Sequence, residues 1–262
     1  MALTLLLARH GQTDLNTDER WQGRLDLPLN ATGQAQAAQL VLSLPGGIDA
    51  LVVSPMLRAR QTAEPVALAR GLVPRLDADF RERDFGLFEG LTADEAAQQF
   101  PELAARNVAY RWDAEPPGAE ATRAVVDRVE RGLQLLSAMH DGQTVLLVSH
   151  GFVVRCLRYL IDGLSDAAFF EAERIPNGAF LTRQPIRKAA HDCDRCRSEG
   201  RARSTYAVPG GAALCRERAA HTRTAKRPGS VDQAGSASRS SIASRYRANS
   251  SMVSTGKLYW RA

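Results

Sequence analysis

The strongest constraint on the fold is a set of short apolar segments that each end abruptly in polar residues. Residues 3–8, 49–54 and 144–148 consist mainly of Leu, Val and Ala, and residues 72–76 form a further short segment. Apolar runs without polar alternation are typical of strands that are buried on both faces of a parallel sheet. The sequence therefore predicts an α/β fold with three layers, in which helices cover both faces of a mostly parallel sheet.

Helical patterns lie between these predicted strands. Pro55 suits the first turn of one helix, whereas Pro65 predicts a kink or a new segment within it. The polar residues 12–30 predict a long loop, and residues 177–181 predict a last strand. The predicted helices span residues 32–44, residues 55–70, one or two short segments within 92–109 that Pro101 divides, residues 120–139, and a segment that begins behind Gly151.

The predicted strands are followed by residues that can bind an anion. Arg9-His10-Gly11 follow the first strand, Arg58 follows the second, and Ser149-His150-Gly151 follow residues 144–148. Because the carboxyl ends of parallel strands meet at one sheet edge, these groups are expected to lie together. Arginine binds phosphate or carboxylate, histidine is a potential nucleophile, and a helix start adds backbone N–H donors. A pair of core histidines with surface arginines is the alternative, but the coincidence of all these groups favours an electropositive pocket.

Five motifs occur in a fixed order along the first part of the chain. They are RHGQTDLN (9–16), RWQGRLDLPLN (20–30), SPMLRARQTAE (54–64), FRERDFGLFEG (80–90) and VSHG (148–151). With these motifs the chain resembles the histidine phosphatase superfamily, in its phosphoglycerate mutase-like branch, from residue 3 to about residue 182. The resemblance implies a phosphoglycerate mutase-like domain over residues 1–184.

The resemblance also implies a role for each matching residue. His10 is expected to be the nucleophile that becomes a phosphohistidine, and Glu82 the acid that protonates the leaving oxygen and later activates water. Glu89 is the rival for the role of Glu82, at a position that we interpret as structural. Arg9, Arg58 and His150 are expected to surround the phosphate. The expected substrate-binding residues are Gly11, Gln12, Thr13, Asn16, Gln22, Gly23 and Gly151.

The residue types agree with this chemistry. A histidine nucleophile must be neutral at the attacking nitrogen, so its other nitrogen is expected to donate to a backbone carbonyl near Gly11. Phosphoryl transfer spreads negative charge over oxygens that fixed cations stabilise. Because the arginines and His150 supply this charge, no metal and no other cofactor is expected.

The sequence favours a phosphatase over a mutase. Mutase members of the family carry an added segment between the glutamate loop and the second histidine. Here His10 and His150 are 140 residues apart, and residues 91–119 predict only short helices. Hydrolysis of a small phosphorylated metabolite is therefore predicted, with cofactor-dependent phosphoglycerate mutase activity as the alternative.

The identity of the metabolite stays open. Sugar phosphates, phosphoglycerate, α-ribazole phosphate and broad specificity are all compatible with the motifs. Several aromatic residues either form a wall for the leaving group or belong to the core: Trp21, Phe85, Phe88, Tyr110 and Trp112.

Residues 185–262 lie beyond the resemblance and differ in composition. They contain 16 Lys and Arg against 5 Asp and Glu, and only seven of the 78 residues are Ile, Leu, Val or Phe. Such a segment buries too little apolar surface to form a core. We interpret it as a disordered basic extension or as the product of a frameshift. A third and less favoured interpretation is a binding tail for nucleic acid, which is the only nucleic-acid contact that the sequence suggests.

The cysteines and the remaining features add little to the functional assignment. HDCDRC at residues 191–196 has a C-x-x-C spacing, but it lacks a suitable second pair, so metal binding is not predicted. Cys156 is the single cysteine of residues 1–184, which suits a reducing cytoplasm. No signal peptide or membrane span is predicted, and a cytoplasmic protein is expected. The oligomeric state is not encoded in any pattern.

Overall fold

The computed structural model describes residues 3–183. The predictions for residues 185–262 lie outside the described residues. They concern three questions: whether the segment is a disordered extension or the product of a frameshift, whether its C-x-x-C motif binds a metal, and whether it contacts nucleic acid.

A five-stranded sheet forms the centre of the fold. In sheet order β3-β2-β4-β1-β5, the first four strands run parallel, and β5 pairs antiparallel with β1. Leu7 of β1 lies opposite Leu147 of β4 in this register. The predicted mostly parallel sheet is therefore confirmed. The strands are β1 (Thr4–Arg9), β2 (Ala50–Val53), β3 (Arg75–Leu76), β4 (Thr144–Ser149) and β5 (Phe180–Arg183).

Eight α-helices surround the sheet in the described residues. They are α1 (Asp14–Thr17), α2 (Ala31–Ser43), α3 (Leu57–Arg70), α4 (Ala93–Gln99), α5 (Pro101–Ala105), α6 (Thr122–Met139), α7 (Gly151–Asp162) and α8 (Asp166–Glu171). Three 3₁₀ turns, at Ala78–Phe80, Gly86–Phe88 and Val108–Tyr110, shape the loops between them.

Alternate residues of the central strands point into two separate apolar cores. Leu5 and Leu7 of β1 belong to the core that α6 and α7 cover, and Leu6 and Ala8 belong to the core that α2 and α3 cover. All four of these side chains are at most 1% exposed. Burial on both faces explains why the strands lack polar alternation, and it confirms the three-layer arrangement.

Several predicted boundaries were wrong in detail. The loop at residues 12–30 contains α1, because Thr13 and Asn16 form a capping box at its start. Helix α3 begins at Leu57 rather than at Pro55. It continues through Pro65 without a new segment, because its buried face packs on the sheet. The third strand is reduced to the two residues of β3.

Among the helices of residues 3–183, none has both the length and the apolar character that crossing a membrane requires.

A close backbone approach fixes the loop after β1. The N–H of Asn30, which caps α2, donates to the carbonyl of Gln12 at 3.0 Å. A Cβ on Gly33, in the first turn of α2, would lie 2.0 Å from that same carbonyl oxygen. Glycine at this position therefore lets the helix start lie directly against the loop that carries the polar residues of β1.

We expect Gly33→Ala to lower the free energy of unfolding by about 1–3 kcal/mol, because the added methyl group must displace backbone. The midpoint of urea unfolding measures this change. Gly46→Ala is the matched control, since a Cβ there meets no heavy atom within 4 Å. Equal midpoints for the two variants would contradict the close approach.

Candidate active site

A small cavity of about 100 Å³ opens beside the carboxyl ends of β1 and β4. Five arginines and one carboxylate border it, so its lining is strongly cationic. The residues around the cavity are Arg9, His10, Asn16, Arg20, Trp21, Gln22, Gly23, Arg58, Glu82, Phe85, Tyr110, Gly151, Phe152, Arg155 and Arg174. Eight of the twelve site residues predicted from the sequence are in this set.

His10 is held as a neutral imidazole with a defined tautomer. It is 3% exposed, and its Nδ1 lies 2.7 Å from the carbonyl oxygen of Gly11. A carbonyl only accepts, so Nδ1 carries the proton and Nε2 keeps its lone pair. Burial, and then the charges of Arg58 and Arg9, hold the pKa of His10 well below its usual range. The ring therefore keeps a free lone pair on Nε2 at neutral pH, and the predicted bond to a backbone carbonyl near Gly11 is present.

His150 lies beside His10 at the end of β4. The two ring centroids are 5.2 Å apart, and His150 is fully buried. Its Nε2 is 2.7 Å from the hydroxyl oxygen of Ser54, whereas its Nδ1 has no partner among the described residues. Burial and the nearby Arg58 lower the pKa of His150. The ring is neutral and its Nδ1 carries no hydrogen bond, but His150 itself does not border the cavity.

Two arginines are fixed around the histidines by backbone carbonyls. Arg58 is fully buried in the first turn of α3 and donates to the carbonyls of Leu25 at 2.8 Å and Gly23 at 3.0 Å. Arg9 donates to the carbonyl of Ile175 at 2.9 Å. Within residues 3–183, the buried Nε atoms of both arginines lack a partner. Cations with unused donors are typical of a site that binds an anion.

Burial also weakens the hold of Arg58 on its proton. Desolvation lowers the pKa of Arg58 to about 10, although Glu82 and other carboxylates oppose this effect. The guanidinium remains charged at neutral pH. Burying a charge without a direct carboxylate partner is costly, which further favours an anionic ligand here.

Glu82 borders the cavity, whereas Glu89 does not. Glu82 accepts a hydrogen bond from the N–H of Arg83 at 2.9 Å, and its second oxygen is 3.5 Å from the N of Phe152. Glu89 instead accepts from the N–H groups of Arg24 and Phe85, at 2.8 and 3.2 Å. Burial raises the pKa of Glu89 to about 7, which would suit an acid. Glu89, however, lies outside the cavity, and its carboxylate holds the turn at Gly23 and Arg24.

A buried arginine on α6 holds the loop that carries Glu82. Arg128 donates to the carbonyls of Asp79 and Arg81, both at 2.7 Å, and forms a two-bond ion pair with Glu120. It also donates to the carbonyl of Glu82 at 3.3 Å. Arg128 thus connects α6 to the glutamate loop. The sequence analysis did not identify it, because the loop carbonyls that it binds lie 46 to 49 residues away.

Three predicted substrate-binding residues do not border the cavity. The N–H of Gly11 donates to the Thr62 hydroxyl at 2.9 Å, and the N–H of Gln12 donates to the Gln36 side chain at 2.8 Å. Thr13 caps α1 through Asn16. Their polar groups are thus used inside the protein. These residues shape the loop behind His10, and the structure does not bring them into the cavity.

The aromatic residues considered for a leaving-group wall divide into two groups. Trp21, Phe85 and Tyr110 border the cavity. Phe88 is 2% exposed in the core, and the ring centroid of Trp112 lies 4.6 Å from that of Phe169.

Several other cavity residues were missed, most clearly Arg155 and Arg174. Arg155 lies one helical turn after Gly151 on α7, so the i, i+4 spacing from the predicted helix start could have indicated it. Arg174 lies in the loop between α8 and β5, where no periodic pattern marks it. No group of three or more residues suited to hold a metal occurs within residues 3–183.

Comparisons of the chain with known proteins point to one family. The model described as "Histidine phosphatase superfamily (branch 1)" matches residues 5–183. The bifunctional protein Rv2228c of Mycobacterium tuberculosis is 43% identical over 172 residues, which cover 63% of this chain and 46% of that protein. The chain thus spans about half the length of the first curated relatives that it matches.

Two further comparisons concern a mutase and a phosphatase. The probable phosphoglycerate mutase GpmB of Salmonella paratyphi B is 35% identical over 165 residues, covering 62% of this chain and 76% of that protein. The solved structure of mycobacterial glucosyl-3-phosphoglycerate phosphatase Rv2419c, in complex with VO3, aligns with a TM-score of 0.64. It is 29% identical and covers 68% of this chain and 91% of that chain.

The raised pKa of Glu89 generates a pH prediction. The folded protein binds this proton more tightly than the unfolded chain, so the stabilisation is present below about pH 4.5 and is lost as the pH rises towards about 7. Glu89→Gln retains an acceptor oxygen but does not titrate. We therefore expect the wild type to lose stability relative to Glu89→Gln between about pH 5 and 7.5, as measured by urea unfolding.

Glu102→Gln is the control for this experiment, since Glu102 is exposed on α5. If the stabilities of the wild type and of Glu89→Gln change in parallel with pH, this result would contradict the raised pKa of Glu89.

Proposed function

Since the chain belongs to the histidine phosphatase superfamily (branch 1), we propose that it hydrolyses a small phosphorylated metabolite through a phosphohistidine at His10, without a metal or another cofactor. One observation carries this proposal. A neutral His10, with its proton fixed on Nδ1, borders a small cavity together with the guanidinium groups of Arg9 and Arg58.

The cations around His10 would bind the phosphate of the substrate. Arg9 and Arg58 each have a buried Nε donor without a partner in residues 3–183, and His150 has an unpaired Nδ1. The Ser54 hydroxyl accepts the N–H of Met56 at 3.5 Å, so its own proton is available to Nε2 of His150. This arrangement would leave a proton on Nδ1 for a phosphate oxygen. These fixed donors would stabilise the charge on the equatorial oxygens during transfer.

In the first step, Nε2 of His10 would attack the phosphorus atom. A nitrogen–phosphorus bond forms, and the bond from phosphorus to the leaving oxygen breaks. Glu82 in its protonated form would give its proton to that oxygen, so the alcohol leaves neutral. The bond from Nδ1 to the Gly11 carbonyl would stabilise the positive charge that the ring acquires.

In the second step, the Glu82 carboxylate would take a proton from water while the water oxygen attacks phosphorus. The nitrogen–phosphorus bond breaks, inorganic phosphate forms, and His10 returns to its neutral state. Glu82 also borders a second cavity of about 500 Å³, which gives water a route to this carboxylate. One carboxylate thus serves both steps with all protons balanced.

The same site could serve a mutase, and one observation favours hydrolysis. A mutase must keep water away from the phosphohistidine until the phosphate returns to an alcohol. Here only the short helices α4 and α5 and two 3₁₀ turns lie between Glu82 and α6. Together with the second cavity beside Glu82, this supports transfer of the phosphate to water.

The test compares two phosphate esters with different leaving groups. We expect Glu82→Gln to slow hydrolysis of glycerol 3-phosphate by 10²-fold or more, because its alkoxide needs a proton. For p-nitrophenyl phosphate, phosphohistidine formation, measured as the burst of nitrophenol, should slow far less, because that leaving group departs as an anion. His10→Ala should abolish turnover of both esters, and a chelator should have no effect on the wild type.

Equal slowing of phosphohistidine formation from both esters would contradict the role of Glu82. Efficient interconversion of 3- and 2-phosphoglycerate without release of inorganic phosphate would instead identify a mutase.

A further inference from the structure

The carboxylate of Glu82 makes few contacts of its own. Within residues 3–183, its one hydrogen bond shorter than 3 Å comes from the N–H of the adjacent Arg83, and the N of Phe152 lies 3.5 Å from its other oxygen. None of the ion pairs in this part of the chain includes Glu82. The position of the carboxylate therefore depends on the backbone of residues 79–84, the glutamate loop.

Arg128 on α6 binds three carbonyls of the glutamate loop. It donates to the carbonyls of Asp79 and Arg81 at 2.7 Å and to that of Glu82 at 3.3 Å. Arg128 is 5% exposed and borders neither of the two cavities described above. The fork of a guanidinium can serve several acceptors at once, whereas the ammonium of a lysine is a single point charge. Arg128 thus fixes the loop backbone to α6.

Ser149, the last residue of β4, binds another carbonyl of the same loop. Its hydroxyl donates to the carbonyl of Phe80 at 2.8 Å, and its own carbonyl accepts the N–H of His10 at 2.9 Å. Ser149 is fully buried. One residue therefore connects the backbone of the proposed nucleophile to the loop that carries Glu82. Two hydrogen bonds thus relate the position of Glu82 to that of His10.

The other end of the glutamate loop is held by Glu120. The N–H of Glu120 donates to the carbonyl of Asp84 at 3.0 Å, and its carbonyl accepts from the Nε of Arg83 at 2.9 Å. Its carboxylate forms two hydrogen bonds with Arg128. The ion pair between Glu120 and Arg128 therefore joins both ends of the loop.

We propose that Arg128 and Ser149 are positioning residues for Glu82, and that they determine how fast esters with poor leaving groups are hydrolysed. Both are buried and neither borders a described cavity, so they act on the substrate only through the glutamate loop. A proton donor must lie within hydrogen-bond reach of the leaving oxygen, and a displacement of about 1 Å can slow a reaction by about 10²-fold. This inference rests on the proposed phosphatase function and extends it to residues outside the cavity.

The test compares two esters in full-length variants. We expect Arg128→Gln and Ser149→Ala each to slow hydrolysis of glycerol 3-phosphate by about tenfold or more. The burst of nitrophenol from p-nitrophenyl phosphate should slow by less than about threefold, because that leaving group needs no proton. General damage to the site would slow both reactions alike. Arg128→Lys keeps a charge opposite Glu120 but loses the fork, so its effect should be intermediate.

Arg131→Gln is the matched control. Arg131 also lies on α6, but it donates to the carboxylate of Asp79 at 3.1 Å rather than to the loop backbone, and its side chain is 62% exposed. This variant should keep the wild-type ratio of the two rates. Ser149→Ala removes only a hydroxyl group and keeps the carbonyl that accepts from His10. Should Arg128→Gln not fold, Ser149→Ala and Arg128→Lys decide the result.

A double-mutant cycle separates positioning from a purely structural effect. In chains that already carry Glu82→Gln, adding Arg128→Gln or Ser149→Ala should change the hydrolysis of glycerol 3-phosphate by less than about twofold, because the group that they position no longer donates a proton. Full additivity with Glu82→Gln would overturn the inference, as would a wild-type rate ratio in both single variants.

Hydrogen exchange provides a measurement that does not depend on activity. Peptides covering residues 79–84 should exchange faster in Arg128→Gln and Ser149→Ala than in the wild type and in Arg131→Gln. If the wild type hydrolyses neither ester while this exchange rises, the proposed function fails and the attachment of the loop is supported. If both esters are hydrolysed and neither the rate ratio nor the exchange responds, the phosphatase is supported and the positioning role is refuted.

Discussion

The pairing of β1 with β4 is the constraint on which the site depends. Arg9 lies opposite Ser149 in the parallel register, and the N–H of His10 donates to the carbonyl of Ser149 at 2.9 Å. This pairing brings His10 and His150 side by side at the ends of two buried strands. A shift of one residue would turn the side chains of β1 to the opposite face of the sheet. The apolar residues that fix the register therefore also fix the positions of His10 and His150.

Around this pair, burial and charge act together. Desolvation keeps both histidines neutral, and the cations Arg9 and Arg58 reinforce that state. The same cations are costly to bury, and an anion bound between them would offset this cost. Arg128 on α6 then holds the loop that brings Glu82 to the cavity. The proposed nucleophile, the cationic cavity and the Glu82 carboxylate are thus positioned by separate elements of the fold.

The sequence predicted the parts of this site that depend on strand ends. His10, Arg58 and His150 follow buried strands or begin the next helix, so their meeting point follows from parallel topology. Arg155 and Arg174 could not be found in this way, because the packing of α7 and the loop after α8 decides where they lie. Gly11 and Gln12 were assigned to the substrate because they lie in the motif RHGQTDLN, on which the family resemblance rests. Their partners, Thr62 and Gln36, are distant in sequence, and only the folded chain shows them.

Detection of the covalent intermediate tests the proposed mechanism most directly. Full-length Glu82→Gln, mixed with p-nitrophenyl phosphate and quenched in alkali, should accumulate phosphate on His10. With this ester the first step needs no proton donor, because the leaving group departs as an anion, whereas the second step lacks the base that activates water. Mass spectrometry of the peptide that contains His10 locates the phosphate. Phosphate on His10 would support the proposal, whereas turnover with phosphate on another residue, or with no trapped intermediate, would contradict it.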